Sequence, residues 1–152
     1  MATRNNPYSA FNFMVKLGDQ GGEDQITGGF SDVSGLGNEV KYSEYRNGND
    51  PENHVRKIAN TNTTDNVTLK RGLIGDLRLF SWLKATREGE YRPQTVTITL
   101  LDERRTAVCS WILRAAQPQK YVGATLAGKG GGEVAMEELH LVAERIDFVS
   151  LG

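Results

Sequence analysis

Histidine and cysteine are scarce in this chain of 152 residues, which holds two of the first and one of the second. A single cysteine, Cys109, rules out an internal disulfide, and a lone thiol inside an apolar strand reads as a small core residue. His54 and His140 lie far apart, and neither has a neighbour at metal-ligand spacing. A zinc site would have to be built from carboxylates, so no metal is expected. No stretch approaches the roughly 20 apolar residues needed to cross a bilayer. Residues 1–8 are polar and lack the apolar core of a signal peptide, so synthesis in the cytoplasm without classical export is expected. An excess of one charge is also missing, because 18 Lys and Arg stand against 19 Asp and Glu, a net charge of −1. Nucleic acids and acidic membrane surfaces select a clear basic excess, so neither is implied as a partner.

Catalytic patterns are lacking as well. There is no Gly-x-Ser-x-Gly elbow and no Cys/His constellation. Glu137 and Glu138 are adjacent, so on a strand they point to opposite faces and read as surface charges rather than a paired acid and base. Asn62-Thr63-Thr64 and Asn66-Val67-Thr68 fit the glycosylation pattern, but without a secretory signal the fit is idle. Gly123-Ala124-Thr125-Leu126-Ala127-Gly128-Lys129 matches a phosphate-binding loop as far as its lysine. The hydroxyl residue that would hold magnesium is absent, and Gly130, Gly131 and Gly132 are poor helix starters. No catalytic residue, cofactor or enzyme activity is expected.

What the sequence does contain points to one β-rich domain over residues 1–152. Hydrophobic residues make up 38% and charged residues 24%, enough for a packed core. Seventeen glycines against four prolines fit tight turns between short strands. Phe11, Phe13, Val15 and Leu17 alternate with polar or exposed-type residues, the period of a half-buried strand. A turn over 18–22 follows. Further strands are expected over 30–35, 39–45 and 66–71. In the third of these four strands Val40 and Tyr42 share a face. Leu73, Leu77, Phe80 and Leu83 lie at i, i+4, i+7 and i+10, which predicts an apolar helix stripe widened by Trp82. Asp76 is placed to start that helix and Gly89 to end it. In residues 94–101, Val96, Ile98 and Leu100 point one way and three threonines the other. This strand predicts a hairpin with 108–115 around the solvated tip Asp102-Glu103-Arg104-Arg105. Residues 123–132 read as a flexible glycine-rich connection. Residues 134–151 fit either a helix or a strand, and the period leans to helix.

Residues 47–65 stand apart. They are polar and rich in asparagine, and loops this long inside compact domains are usually functional or disordered. The expectation is an assembly loop that reaches a neighbouring subunit or ring. Its candidate charged contacts are Arg46, Asp50, Glu52, Arg56 and Lys57.

Several segments resemble, in order, the inner tail-tube protein family of contractile phage tails, R-type bacteriocins and extracellular contractile injection systems. Phe11-Asn12-Phe13-Met14-Val15 is similar to the family's opening. Residues 29–36, Gly-Phe-Ser-Asp-Val-Ser-Gly-Leu, resemble its Phe-x-x-Val-Ser-Gly-Leu segment. Glu44-Tyr45-Arg46-Asn47-Gly48 resembles Glu-Tyr-Arg-x-Gly, and Asn66-Val67-Thr68-Leu69-Lys70-Arg71-Gly72 resembles Asn-x-Thr-Leu-Lys-Arg-Gly. Trp82 sits where the family often has a tryptophan. Glu133-Val134-Ala135-Met136-Glu137-Glu138-Leu139 resembles its closing segment. The glycine run at 128–132 is richer than the family pattern.

The resemblance implies a mainly β fold, a small antiparallel β-barrel or sandwich with one packed α-helix, which completes a larger ring barrel on hexamer formation. It implies that 134–151 is largely strand. It implies a structural subunit of a hollow inner tube of stacked hexameric rings, driven through a target envelope by sheath contraction. The implied partners are further copies of the chain, a sheath protein, baseplate and spike proteins, a tail terminator, and effector cargo or DNA in the lumen. Assembly in the bacterial cytoplasm and residence in a virion tail or released tail-like particle would follow. Two alternatives stand beside it. One is a type VI-like ring that chaperones small effectors. The other is a nucleotide-dependent enzyme using residues 123–129, which a binding assay with a Lys129→Ala control would separate.

Overall fold

The computed structural model describes residues 6–9, 12–18, 26–27, 30–46, 48, 55–73, 77–126, 128 and 134–151. Ten strands and one helix lie among them, in the order β1 (Phe13–Leu17), β2 (Ile26–Thr27), β3 (Phe30–Ser34), β4 (Asn38–Tyr45), β5 (Arg56–Thr64), β6 (Val67–Gly72), α1 (Arg78–Arg87), β7 (Gln94–Leu101), β8 (Ala107–Val122), β9 (Met136–Val142) and β10 (Arg145–Ser150). Eight strands form one antiparallel sheet in the order β2-β1-β7-β8-β9-β6-β3, with β10 on the free side of β8.

The long strand β8 makes this sheet fold over on itself. Its first part pairs with β7 on one side and β10 on the other, and its last part, from Gln117, pairs with β9. The change of partner falls at Ala115, whose φ of 51° is left-handed and bends the strand. The two halves then face each other across one core. Val15, Leu17, Val96, Leu113 and Ile146 come from one half, and Val67, Leu69, Leu139 and Leu141 from the other. Alternation explains the set, because β6 and β9 each bury every second residue. Cys109 is buried, as its apolar surroundings predict, and burial pushes its thiol pKa up.

The hairpin β7–β8 forms as expected. Asp102 organises its tip, because Oδ1 accepts the backbone N–H groups of Arg104 at 2.8 Å and Thr106 at 2.9 Å. Strand β8 runs well past the expected end at 115. Residues 134–151 are strands β9 and β10, so the implication of the resemblance holds and the helical period fails. With buried residues at Glu137, Leu139 and Leu141, a spacing of two decides the structure because β6 and β8 offer flanking backbone.

The helix is shorter than expected and turns a different face inward. It buries Leu79 and Trp82 against the sheet, while Leu77 and Phe80 are exposed and Leu73 lies before the helix, also exposed. The indole N–H of Trp82 donates to the carbonyl of Arg92 at 2.9 Å, which fixes that face. Leu77 is the N-cap residue and makes no side-chain cap. Asp76 lies outside the described residues. At the other end, the N–H of Gly89 returns to the carbonyl of Thr86 at 3.1 Å with φ at 96°, the conformation that favours glycine.

Candidate assembly surface

The stretch 47–65 is not one long loop. Residues 56–64 form β5, which pairs antiparallel with β4 in a two-stranded arm off the main sheet. Asparagine and threonine mislead here because they read as loop formers, yet in a ribbon wet on both faces polar residues satisfy the strand pattern. The arm is the outer half of one continuous ribbon. In its inner half Ser34 faces Thr68, and in its outer half Asn38 faces Thr64. Four residues forward on one strand match four back on the other, so the register is unbroken through the bend. Asp65 keeps the ladder closed there by donating its N–H to the carbonyl of Gly37 at 3.0 Å.

Side-chain hydrogen bonds tie the arm to the body at its base. Thr64 Oγ1 donates to the carbonyl of Ala143 at 2.7 Å, and Asn38 Nδ2 to the carbonyl of Ile146 at 3.4 Å. Beyond them every residue of β4 is exposed, as is β5 from Arg56 to Asn62. Val40, Tyr42, Tyr45, Val55 and Ile58 are 42–59% exposed, on a two-stranded ribbon of a kind that by itself is at best marginally stable.

Of the candidate contacts, Arg46, Arg56 and Lys57 all lie on this arm and are exposed. The register places Arg56 opposite Tyr45 and Lys57 opposite Glu44, on the two different faces. Asp50 and Glu52 lie outside the described residues. Of the phosphate-loop-like segment, 123–126 and 128 lie outside any helix or strand, and Lys129 is outside the described residues. Among the described residues, no helix is long and apolar enough to cross a membrane.

A buried charged cluster escapes sequence reading altogether. The register of β6 with β9 sets Arg71 opposite Glu137. Arg71 Nε donates to Glu137 Oε1, the Tyr121 hydroxyl donates to Glu137 Oε2, and the guanidinium lies 5.6 Å from the centre of the Phe30 ring. Arg71 and Glu137 side chains are each only 2% exposed, so Glu137 is not the surface charge expected of it. Its neighbour Glu138 does face outward, paired with Lys70 and His140 at 3.3 Å each. The hydrogen bond from Lys70 holds the Glu138 carboxyl below its usual range, helped by His140. On the same pattern, Arg114 and Arg145 hold Asp147 low. No sequence signal marks Arg71 and Glu137 as a pair, because 66 residues separate them and only the strand register joins them.

Burial pushes the Tyr121 phenol up to about 12, and the hydrogen bond to Glu137 and its negative charge add to the shift. Arg71 opposes it. Below pH 10, the ordinary tyrosine value, both folded and unfolded chains keep the proton. Between about pH 10 and 12 the unfolded chain loses a proton that the folded chain retains, so rising pH favours unfolding. The urea midpoint is therefore expected to fall across that window, and Tyr121→Phe to remove the part of the slope due to this group. The substitution also lowers stability at neutral pH by about 1.5–3 kcal/mol, the usual range for a hydrogen bond to a charged group. Identical slopes in the two proteins would refute the assignment.

Known proteins of the same build carry the site further. The model of the T4-like virus tail tube protein gp19 family matches residues 9–147. Among solved structures, a chain of the cryo-EM structure of the anti-feeding prophage tube-terminating cap superposes with a TM-score of 0.82 at 24% identity, covering 99% of this chain and 95% of that one. A chain of the sheath–tube complex of the extracellular contractile injection system PVC, in the extended state, gives 0.81 at 24% identity over 97% and 94% of the two chains. Hcp1 from Flavobacterium johnsoniae is a more distant neighbour, with a TM-score of 0.54, 11% identity, and 89% and 94% of the chains covered. No curated protein matches the sequence. With a family model spanning nearly the whole of a β fold that carries an unpartnered arm, the chain belongs to the T4-like virus tail tube protein gp19 family.

Proposed function

We propose that the chain is the structural subunit of the hollow inner tube of a contractile tail-like machine, and that its role is mechanical rather than enzymatic. The observation that carries the reading is the arm. A two-stranded ribbon with both faces wet gains nothing from folding out of the sheet unless another chain covers it. A family of tube proteins supplies the natural cover, which is another copy. Edge strands recruit further chains, and a head-to-tail contact repeated around an axis closes into a ring. Hexameric rings that stack into a tube are the assembly this reading requires, and Arg46, Asp50, Glu52, Arg56 and Lys57 are its proposed charged contacts.

The partners follow from what the similar structures contain. The PVC structure is of a sheath–tube complex, and the anti-feeding prophage structures are of a baseplate and a terminating cap. A sheath, a baseplate with its spike, and a terminator are accordingly proposed for this chain, with effector cargo or DNA in the lumen. Such a tube would leave the cell as part of a particle rather than by export of single chains. Negative-stain microscopy and sedimentation of the purified chain test the core of the reading. Rings of six that stack into tubes are expected. A chain that stays monomeric over micromolar to millimolar concentrations would overturn it.

A further inference from the structure

Residues 35–37 join β3 to β4, and opposite them residues 65–66 join β5 to β6. Gly35 has φ at 86°, in the left-handed region, and a Cβ there would stand 2.1 Å from the carbonyl oxygen of Asn66 and 3.3 Å from Cα of Val67. These are backbone atoms, and Val67 is fully buried, so a side chain at position 35 is relieved only by a shift of the backbone itself. Leu36, next along, packs against the core. Gly37 differs. The nearest atoms to a Cβ there belong to the Asp65 side chain, the first its carboxylate oxygen at 2.2 Å, and a carboxylate swings away on its own bonds.

We propose that Gly35 is the elbow that aims the arm, locking it at one fixed angle to the body so that it meets its seat on a second copy of the chain. The elbow is rigid rather than loose. Leu36 anchors it in the core, the ladder stays in register through it, and Thr64 and Asn38 pin the start of the arm to the turn and strand around Ala143 and Ile146. An arm already aimed loses little freedom on docking, and so retains most of the affinity of its contacts. The inference rests on the tube reading above, and it adds a positioning residue to it.

The test contrasts two identical substitutions two residues apart. Gly35→Ala is expected to leave a folded body, seen as an unchanged β-type circular dichroism spectrum and a sharp melting transition, but to form no tubes by itself. Mixed in equal amounts with the wild-type chain, it is expected to shorten wild-type tubes to less than half their length, because it accepts a neighbour's arm and offers a misdirected one. A merely unfolded chain would not enter the tubes or change their length. Gly37→Ala is expected to form tubes of wild-type length. Wild-type tubes from Gly35→Ala, no effect of the folded variant in the mixture, or equal failure of both variants would each overturn the proposal. Equal failure would mean that assembly needs chain flexibility instead of a fixed angle. If Gly35→Ala does not fold, removal of the arm decides. Replacing residues 40–62 by Asn-Gly joins the cross-strand partners Glu39 and Thr63, a pair of the hydrogen-bonded kind, through a two-residue hairpin turn. That chain is expected to fold, form no tubes and shorten wild-type tubes, and tubes of wild-type length from it alone would overturn the proposal. If the wild-type chain itself makes neither rings nor tubes, the tube reading fails. Failure of the elbow alone leaves wild-type tubes intact.

Discussion

Replacing Arg71 by leucine is expected to lower the unfolding free energy by about 3–5 kcal/mol, the usual cost of stranding one partner of a buried ion pair. The variant leaves the Glu137 carboxylate inside the protein with the Tyr121 hydroxyl still bonded to it, and neutral hydroxyls do not replace a guanidinium. Phe30 on β3 lies beside the guanidinium and Phe80 packs edge-on to Tyr121, so the aromatic neighbours of the carboxylate offer it no replacement charge. Arg71→Leu combined with Glu137→Leu is expected to recover most of the loss, because the pair as a whole contributes little net stability over an apolar filling. Urea unfolding of the wild type, the two single variants and the double variant measures this as a cycle. A single variant that loses less than about 1 kcal/mol would show that the cluster is not buried in the way described. The pair bonds across the register of β6 and β9, and a slip of one residue would turn either charge to the opposite face. Its contribution is therefore to the choice of register as well as to the energy.

The second large effect lies on the arm and concerns assembly rather than folding. Tyr42 shares a face with Ala59, and Ile58 with Ser43, so these two apolar residues project from opposite faces of the ribbon. Tyr42→Asp together with Ile58→Asp is expected to leave monomer stability within about 0.5 kcal/mol, since both positions are exposed in the single chain. The same change is expected to abolish tubes at concentrations where the wild type assembles. A buried aromatic anchor at an interface carries about 2 kcal/mol or more, roughly 30-fold in affinity for each contact, and a ring repeats each contact around its axis. Sedimentation of the variant as a monomer, next to a wild-type control that pellets as tubes, is the expected outcome. Tubes of normal length would remove these side chains from the interface. Because folding and assembly are read separately, the variant distinguishes a lost interface from a lost fold.

Much of the fold could be read from residue order. The alternation of Val96 and Ile98 marks β7, although a register shift at Leu100 and Leu101 buries Leu101 where Leu100 was expected; the charged tip at 102–105 marks its hairpin, and Gly89 ends the helix where expected. The inner half of the ribbon was legible on one strand, since Val67 and Leu69 alternate as buried strands do, whereas Phe30 and Val33 on the other are three residues apart and a bulge between Phe30 and Asp32 makes up the difference. The arm was legible as a place but not as a structure. Its polar composition separates it from the rest of the chain, yet that same polarity hides the strand β5, because alternation of buried and exposed residues vanishes when neither face is covered. The helix stripe misled for the opposite reason. Leu73, Leu77 and Phe80 have helical spacing, but the helix begins at Arg78, and the side bond of Trp82 to Arg92 turns Leu79 inward instead.

By itself, then, the sequence determined a single β-rich chain with one helix, ordered tube-family segments and a polar excursion where assembly contacts are to be sought. These are properties of local pattern, and local pattern survives in the order of residues. The tertiary structure alone decided which residues meet across strands. It brought Arg71 to Glu137, bent β8 at Ala115 so that one sheet became two facing halves, and gave residues 134–151 their strands through the backbone of β6 and β8 on either side. It also turned the excursion into an arm aimed by Gly35. Strand register and the close approach of backbone to backbone arise between segments far apart in the chain, and no window along the sequence contains both sides of such a contact.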